Sequence, residues 1–260
     1  MDVLEDDFTW VVRKALKGCG LAPSEASIRA GLPEPEVLAF TRGNFSPETA
    51  RRLAPVLGLN PDALANHNRH APKPLEISQI RRLDLPFDEE RVNAWRIDSG
   101  KSFILFDSGH VAGSCLSALA GSLPDQVFIT HGHSDHIGGI GDFFRVGAPV
   151  LGPSIPGAAP VLAGDVFHHD HLTIAAYDLS GHFTPSVGYH IRGLARPILV
   201  TGDALFAGSM GGCATPALYQ HALHRLSAVL ATLPDDTILL PGHGPATTLG
   251  EERRGNPFLI

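Results

Sequence analysis

Four side chains of the kinds that bind metal ions lie within six residues of one another, in the segment 131–136. Positions 130–136 read THGHSDH and supply His131, His133, Asp135 and His136 directly after an apolar run. Neutral imidazole and carboxylate are the ligands that zinc and similar divalent ions prefer. His131 and His133 can point the same way on an extended backbone, whereas Asp135 and His136 fall on the following turn. The spacing predicts a metal site at the end of a strand, in which the turn faces a second ion.

Three later loops repeat this arrangement with one ligand-type residue each. Every loop follows a short apolar run and contains glycine, and the residues concerned are His182, Asp203 and His243. Open α/β sheets place their sites at the carboxyl ends of strands, and glycine lets the backbone approach an ion closely. Seven candidate ligands are too many for one four-coordinate ion. They fit two ions that share one bridging carboxylate.

Other histidines, out of 14 in the chain, lie outside this pattern. A tract reading FHHDH predicts an exposed hairpin turn, and a pair at i, i+3 spacing predicts a structural role on a helix. These residues are His168, His169, His171, His221 and His224. The role of His110 stays open at this point.

The elements that must position the ligands begin after Pro74. Short apolar runs rich in β-branched residues predict strands at 92–97, 102–106, 126–130, 172–177, 197–201 and 237–240. A helical pattern covers 217–233. This alternation predicts an α/β fold of layered sheets flanked by helices.

The first seventy residues predict short helices instead. Apolar residues recur at helical spacing from Phe8 to Leu16, and Ser46-Pro47 and Asn60-Pro61 are typical of helix starts. Pro55 should break the helix that starts at Ser46. The stretch 67–74 is polar with two prolines and predicts a linker. We therefore divide the chain into a small helical domain, 1–70, and a larger domain, 71–260.

Composition excludes several classes of protein. The 260 residues carry a formal charge of −7, which argues against a general nucleic-acid binder. The three cysteines at 19, 115 and 213 form no disulfide framework and suit a reducing compartment. The acidic start indicates no signal peptide, and no apolar run reaches the roughly 18–20 residues of a membrane span. We expect a cytoplasmic protein with a small-molecule substrate and no membrane contact.

The ligand motifs resemble those of the metallo-β-lactamase-fold hydrolases, and within them the glyoxalase II-like branch. The resemblance covers about Leu75 to Ile260 and rests on THGHSDHIGG and on the loops around His182, Asp203 and His243. The closing stretch 247–258 is similar to that of short-tailed glyoxalase II-like proteins. The resemblance implies an αββα sandwich with metals at one edge.

The resemblance also implies a distribution of ligands between two divalent ions. It places the first ion on His131, His133 and His182 and the second on Asp135, His136 and His243, with Asp203 bridging. Zinc is expected, and iron and manganese stay open because this ligand set suits all three. The implied reaction is hydrolysis of a small hydroxyacyl-thiol by a hydroxide between the ions, with Asp135 as a catalytic residue that takes up a proton.

Several alternatives remain open. Persulfide dioxygenases share the scaffold but use one iron on two histidines and one aspartate, and a lactonase or phosphodiesterase would use the same ligands. The family's full glyoxalase II enzymes hold glutathione with basic residues of a further helical domain. Only 17 residues follow His243, so no such glutathione site is evident. Tyr189, Arg253 and Arg254 are candidates for the substrate pocket.

The N-terminal helices weakly resemble a Cro/repressor-type helix-turn-helix. Residues 1–72 hold eight basic and nine acidic side chains, and the would-be recognition segment contains Glu34 and Glu36, which would repel phosphates. A transcriptional sensor that binds an operator stays as a third alternative. We favour a packing or homodimerisation module over a DNA reader.

Overall fold

The chain forms a group of N-terminal helices followed by two six-stranded sheets with helices outside them. The structure is a computed structural model that describes residues 4–75 and 77–260. The helices are α1 (Phe8–Cys19), α2 (Pro23–Ala30), α3 (Glu34–Thr41), α4 (Pro47–Leu53), α5 (Pro61–Ala65), α6 (Ser114–Ala118), α7 (Ser134–Ile137), α8 (Ile140–Arg145), α9 (Pro216–Leu230) and α10 (Leu249–Gly255). Short 3-10 helices cover Ala54–Leu57 and His67–Arg69.

The strands that make up the two sheets follow one another from residue 80 to residue 248. They are β1 (Ile80–Phe87), β2 (Glu90–Asp98), β3 (Phe103–Phe106), β4 (Gln126–Phe128), β5 (Val150–Gly152), β6 (Ala159–Pro160), β7 (Val166–His169), β8 (Leu172–Asp178), β9 (Val187–Arg192), β10 (Ile198–Gly202), β11 (Ile238–Pro241) and β12 (Thr247–Thr248). The strand orders are β1-β2-β3-β4-β5-β6 and β12-β11-β10-β9-β8-β7. Strands β3 to β6 pair in parallel, as do β10 and β11, and the other pairs are antiparallel.

The N-terminal helices start and end where local chemistry favours it. Asp7 caps α1 by accepting hydrogen bonds from the backbone N–H groups of Thr9 and Trp10, and Gly20 ends this helix in a left-handed conformation. Ser46 and Asn60 cap α4 and α5 as the sequence predicts. Pro55 lies in the 3-10 turn that ends α4, because its ring cannot continue an α-helix.

Three apolar layers hold the sheets and their helices together. Trp95, Phe106 and Phe128 of the first sheet pack against Tyr189 and Ile191 of the second in a buried central layer. A second cluster joins the outer face of the first sheet to α6 and α8, and a third joins β10 and β11 to α9. The predicted αββα sandwich preceded by helices is confirmed.

The helical head, defined as residues 4–65, shares its core with the rest of the chain. Its buried side chains form one cluster with Met210, Tyr219 and Phe258. A Cβ added at Gly18 of α1 would lie 2.4 Å from the Tyr219 ring, so α1 and α9 are in direct contact. The division at residue 70 stays a prediction, but the predicted linker is wrong at its start. His67 is buried and donates a hydrogen bond to the Gly208 carbonyl at 2.9 Å.

Strands that the sequence did not predict are polar, short or interrupted. Strand β1 contains Arg81, Arg82 and Pro86 and pairs with β2 at the edge of the first sheet, where proline is tolerated. The FHHDH tract does form a β7–β8 hairpin, but the prediction that it is exposed is wrong for His169. His169 is 9% exposed and lies 3.0 Å from Ser102 Oγ, because it points toward the end of the first sheet.

Two expectations from composition concern the state of the cysteines and the presence of membrane-spanning helices. Cys19, Cys115 and Cys213 are free thiols, and burial raises the pKa of Cys115 to about 12 and of Cys213 to about 11. Among the helices that the structure describes, none combines the length and the apolar character that a membrane crossing requires.

Candidate metal centre

The structure brings all seven predicted ligands together at one edge of the sandwich. His131 and His133 follow β4, and Asp135 and His136 lie in the single turn of α7. The remaining three ligands, His182, Asp203 and His243, follow β8, β10 and β11. Since β10 and β11 are parallel, their carboxyl ends place Asp203 and His243 side by side.

One group of ligand atoms comprises His131, His133, His182 and Asp203, all within 4.8 Å of one another. The Nδ1 atom of His133 lies 3.1 Å from His131 Nε2 and 3.0 Å from His182 Nε2. Asp203 Oδ2 lies 3.4 Å from His182 Nε2. These nitrogens and this oxygen surround a space that one cation can occupy.

A second group comprises Asp135, His136, Asp203 and His243, which are all buried. His243 Nε2 lies 3.0 Å from Asp135 Oδ2, and His136 Nε2 lies 3.2 Å from Asp203 Oδ1. Asp203 belongs to both groups. Its Oδ1 lies near His136 of the second group, and its Oδ2 lies 3.4 Å from His182 of the first and 3.7 Å from His243 of the second. It therefore occupies the position of a bridging carboxylate.

Two atoms in this centre are buried without a hydrogen-bond partner in the part of the chain that the structure describes. They are His136 Nε2 and Asp203 Oδ1, which face each other. A buried polar atom that is left unpaired costs about 1–3 kcal/mol. A divalent cation would accept lone pairs from both atoms, so the residues present fit a metal ion.

Hydrogen bonds hold the Nδ1 atoms of four ligand imidazoles, those of His131, His136, His182 and His243. His182 Nδ1 donates to the Gly212 carbonyl at 2.7 Å, and His243 Nδ1 donates to the Arg91 carbonyl at 2.8 Å. His131 Nδ1 donates to Thr130 Oγ1 at 2.9 Å. These bonds leave each Nε2 atom free to donate its lone pair, which is how proteins orient metal-binding histidines.

Asp107 orients the fourth imidazole, and sequence reasoning did not assign it a role. Its buried carboxylate accepts hydrogen bonds from His136 Nδ1 at 2.8 Å and from the Thr130 backbone N–H at 2.8 Å. The residue has φ of 61°, which is uncommon outside glycine. An aspartate directly after the apolar strand β3 was the available signal.

Burial and charge set the protonation of these groups. Burial and the neighbouring His136 hold the pKa of His131 well below its usual value, so this imidazole is neutral. Burial alone would raise the pKa of Asp203, but His136 and His182 keep it well below its ordinary value. Burial alone would lower the pKa of His136 and His243, but the neighbouring carboxylates raise both above the ordinary value. Because neutral imidazole and ionised carboxylate are the forms that bind metal, these two imidazoles would release a proton when a metal binds.

Gly242 permits the close approach of the ligand loops. A Cβ added there would lie 2.2 Å from Asp203 Oδ1 and 2.6 Å from the His136 ring. Gly211 is similar, since its Cβ would lie 2.1 Å from the Asp203 carbonyl. Any larger residue at either position would displace ligands of both groups.

A cavity of about 410 Å³ opens over the two groups. It is lined by Glu5, Lys14, Phe87, Glu90, His133, Ser134, Asp135, His182, Asp203, Phe206, Gly211, Gly212 and His243. Two of these residues, Glu5 and Lys14, come from the helical head and were not predicted.

The residues suggested for the substrate pocket from sequence lie elsewhere. Tyr189 is fully buried between the sheets and donates to the Ile129 carbonyl at 2.7 Å. Arg253 donates to the Leu230 carbonyl, and Arg254 is exposed on the same helix, α10. Among the described residues that line the cavity, none of the three occurs, so this prediction is wrong.

We expect the Asp107→Ala substitution to weaken binding at the second group selectively. His136 would lose the acceptor that orients it, and such losses reduce metal affinity by about 10–100-fold. Zinc titration of metal-free protein, followed by calorimetry, measures both binding steps. Asp142→Ala is a matched control, because Asp142 is buried but bonds Gly113 and Arg145 outside the centre. Unchanged affinity for both ions in Asp107→Ala would contradict this role.

Comparison with known proteins agrees with this geometry. The family model described as the metallo-beta-lactamase superfamily matches residues 87–160. An uncharacterized protein of Aquifex aeolicus is 31% identical over 184 residues, which cover 62% of this chain and 86% of that protein. The hydroxyacylglutathione hydrolase GloC of Haemophilus influenzae is 28% identical over 160 residues, or 51% of this chain and 74% of the relative.

Two solved structures extend the comparison. TTHA1623, crystallised in a di-iron-bound form, is 28% identical with a TM-score of 0.52, covering 68% of this chain and 100% of its own. ETHE1 from Myxococcus xanthus is 28% identical with a TM-score of 0.55, covering 69% of this chain and 84% of its own.

Proposed function

The chain belongs to the metallo-beta-lactamase superfamily, and we propose that it is a hydrolase that uses two divalent ions to cleave a small hydroxyacyl-thiol. The observation that carries the proposal is the pair of complete ligand groups that share Asp203 at the floor of one cavity. Likeness to a hydroxyacylglutathione hydrolase supports the thioester, and likeness to a protein with two irons supports two ions. We propose zinc as the metal, and iron or manganese would suit the same ligands.

His131, His133 and His182 would hold one ion, and Asp135, His136 and His243 the other, with Asp203 on both. When bound, two such ions lower the pKa of water from 15.7 toward about 7 and polarise a carbonyl oxygen. The chain's own residues must therefore hold the thioester carbonyl in the cavity beside the two ligand groups.

Side chains around the centre have distinct duties in this reaction. Phe87 and Phe206 line the cavity and limit the access of bulk water to the reacting carbonyl. Asp135 also lines it, with Oδ2 bound to His243 Nε2. We assign to the Asp135 carboxylate the uptake of the proton carried by the attacking hydroxide, as the tetrahedral intermediate collapses to the carboxylate product and the thiolate leaves.

The second ligand group distinguishes this proposal from the single-iron alternative. His136, Asp203 and His243 form that group together with Asp135. Of these four residues only Asp203 also belongs to the first group, so an ion in the first group would not use the other three. A site for one ion alone would not require three further buried metal-binding side chains beside the first group. The complete second group therefore favours hydrolysis over oxygen chemistry.

The remaining parts of the proposal concern the head and the compartment. The exposed face of α3 carries Glu34 and Glu36, which supports a packing or homodimerisation role over DNA binding.

We place the protein in the cytoplasm, because its three cysteines are free thiols.

A substrate panel tests the proposed reaction. We expect purified protein reconstituted with zinc to hydrolyse S-lactoyl thioesters at least about 100-fold faster than a lactone or a phosphodiester, and His182→Ala to abolish turnover. His221→Ala is the matched control, because His221 is exposed on α9 away from the cavity. Oxygen uptake with glutathione persulfide and one iron per chain would instead establish the dioxygenase.

A further inference from the structure

The start of the helical head lies directly against the metal centre. Asp6 accepts a hydrogen bond from Ser209 Oγ at 2.5 Å, and Lys14 Nζ donates to the Met210 carbonyl at 2.9 Å. Glu5 Oε1 lies 3.8 Å from His243 Nδ1. The head is therefore attached to the loop after Asp203 and to the loop of His243.

Lys14 lines the cavity that opens over the metal centre. Among the described residues that line the cavity, it is the one lysine or arginine. A Cβ added at Gly212 would lie 3.7 Å from Lys14 Cγ, and the Gly212 carbonyl is the group that orients His182. The ammonium also lies 5.2 Å from the centre of the Phe206 ring. Lys14 thus belongs to the wall of the cavity beside the first ligand group.

The ammonium of Lys14 is held in place by two partners and can still donate one hydrogen bond to a ligand. It pairs with the Asp6 carboxylate and donates to the Met210 carbonyl, which uses two of its three N–H groups. The third has no acceptor among the described residues. The side chains of Lys14 and Asp6 are only 16% and 8% exposed, so the ammonium is partly removed from water. An anion that enters the cavity meets a positioned donor.

The other charges of the cavity limit what kind of anion fits. Glu5 and Glu90 also line it and would repel a substrate with several negative charges. Glu5 lies within electrostatic range of Lys14, so a single carboxylate is the most negative group that this part of the wall admits. Because a small acyl half stays at the ligand groups, the thiol half is the part that extends along the wall.

We propose that the helical head completes the active site, and that Lys14 binds a carboxylate carried by the thiol half of the thioester. This inference rests on the proposed thioester hydrolysis. It assigns Lys14 to substrate binding and selectivity, and it gives the head a duty in the reaction besides packing.

Two thioesters that differ in one charge test the proposal. The probes are the S-lactoyl thioester of 3-mercaptopropanoate and the same compound as its methyl ester. We expect the zinc-loaded protein to prefer the acid by about tenfold in kcat/KM, as expected for one charge-assisted hydrogen bond. Lys14→Met should lose this preference through KM, and Lys14→Arg should retain part of it. The preference of the native protein should also fall as salt is added.

Lys17→Met is the matched control, because Lys17 is exposed one turn further along α1 and does not line the cavity. It should keep the preference for the acid. An equal loss of turnover on both thioesters in Lys14→Met, with the preference retained, would overturn the proposal and leave Lys14 a purely structural role.

A binding measurement separates this proposal from the proposed reaction. The thioether analogue of the acid has a methylene in place of the carbonyl and cannot be hydrolysed. Calorimetry should show that the native protein binds it about tenfold more tightly than its methyl ester. Equal binding overturns the Lys14 assignment, even if Lys14→Met does not fold. Selective binding without hydrolysis of either thioester would overturn the reaction and retain the carboxylate site.

Discussion

Asp203→Ala is expected to remove both metal ions and to abolish turnover. Its carboxylate belongs to both ligand groups, so one substitution leaves only three ligands on each side. Loss of an outer partner costs about 10–100-fold in metal affinity, and the loss of a shared ligand should exceed that. Mass spectrometry of metals in purified protein, compared with the thioesterase rate, measures both effects.

A second aspartate at a strand end supplies the control for this substitution. Asp98 ends β2, pairs with Arg96 and lies outside both ligand groups, so Asp98→Ala should retain metal and rate. Full metal content with full turnover in Asp203→Ala would refute the bridging role.

Glu252→Ala is expected to lower the free energy of unfolding more than any other substitution that we propose. This fully buried carboxylate accepts four hydrogen bonds, from His70 Nε2 at 3.0 Å, Thr247 Oγ1 at 2.8 Å, the Gly208 N–H at 2.7 Å and Asn256 Nδ2 at 3.0 Å. Without this acceptor, several buried donors lose their hydrogen-bond partner, at a cost of about 1–3 kcal/mol each. We expect the free energy of unfolding to fall by about 3–5 kcal/mol, as measured by urea denaturation.

The adjacent glutamate of the same helix is the matched control. Glu251 is partly exposed and accepts from Thr248 in a capping arrangement, so Glu251→Ala should cost about 1 kcal/mol. Because Gly208 lies in the loop after Asp203, Glu252→Ala should also weaken metal retention. Equal urea midpoints for the two variants would show that the Glu252 network contributes little.

The ligand set could be predicted from sequence because its chemistry is local. His131, His133, Asp135 and His136 lie within one strand end and one turn, where spacing alone determines their directions. The other three ligands each follow a strand, and strand ends gather at one edge of a sandwich. Pattern and composition therefore contain most of the information about this edge.

The outer hydrogen bonds could not be predicted, since they join residues that are distant in sequence. Asp107 bonds His136 across 29 positions, and Arg91 bonds His243 across 152. The same limit applies to the head. Its near-neutral charge argues against DNA binding despite the helix-turn-helix rhythm, but nothing local shows that Glu5 and Lys14 reach the cavity.

Tyr189 shows how a strand that was not predicted leads to a wrong site. Gly188 and His190 interrupt the apolar pattern of β9, so the sequence predicts no strand there. Because β9 pairs between β8 and β10 in the middle of the second sheet, Tyr189 points into the central layer. A candidate for substrate contact is thus a residue of the core.

Anomalous diffraction from crystals of the metal-loaded protein tests the dinuclear centre most directly. Our account predicts two peaks per chain, one enclosed by His131, His133 and His182 and one by Asp135, His136 and His243, with Asp203 in contact with both. A single peak in the first group, or density away from these side chains, would contradict it.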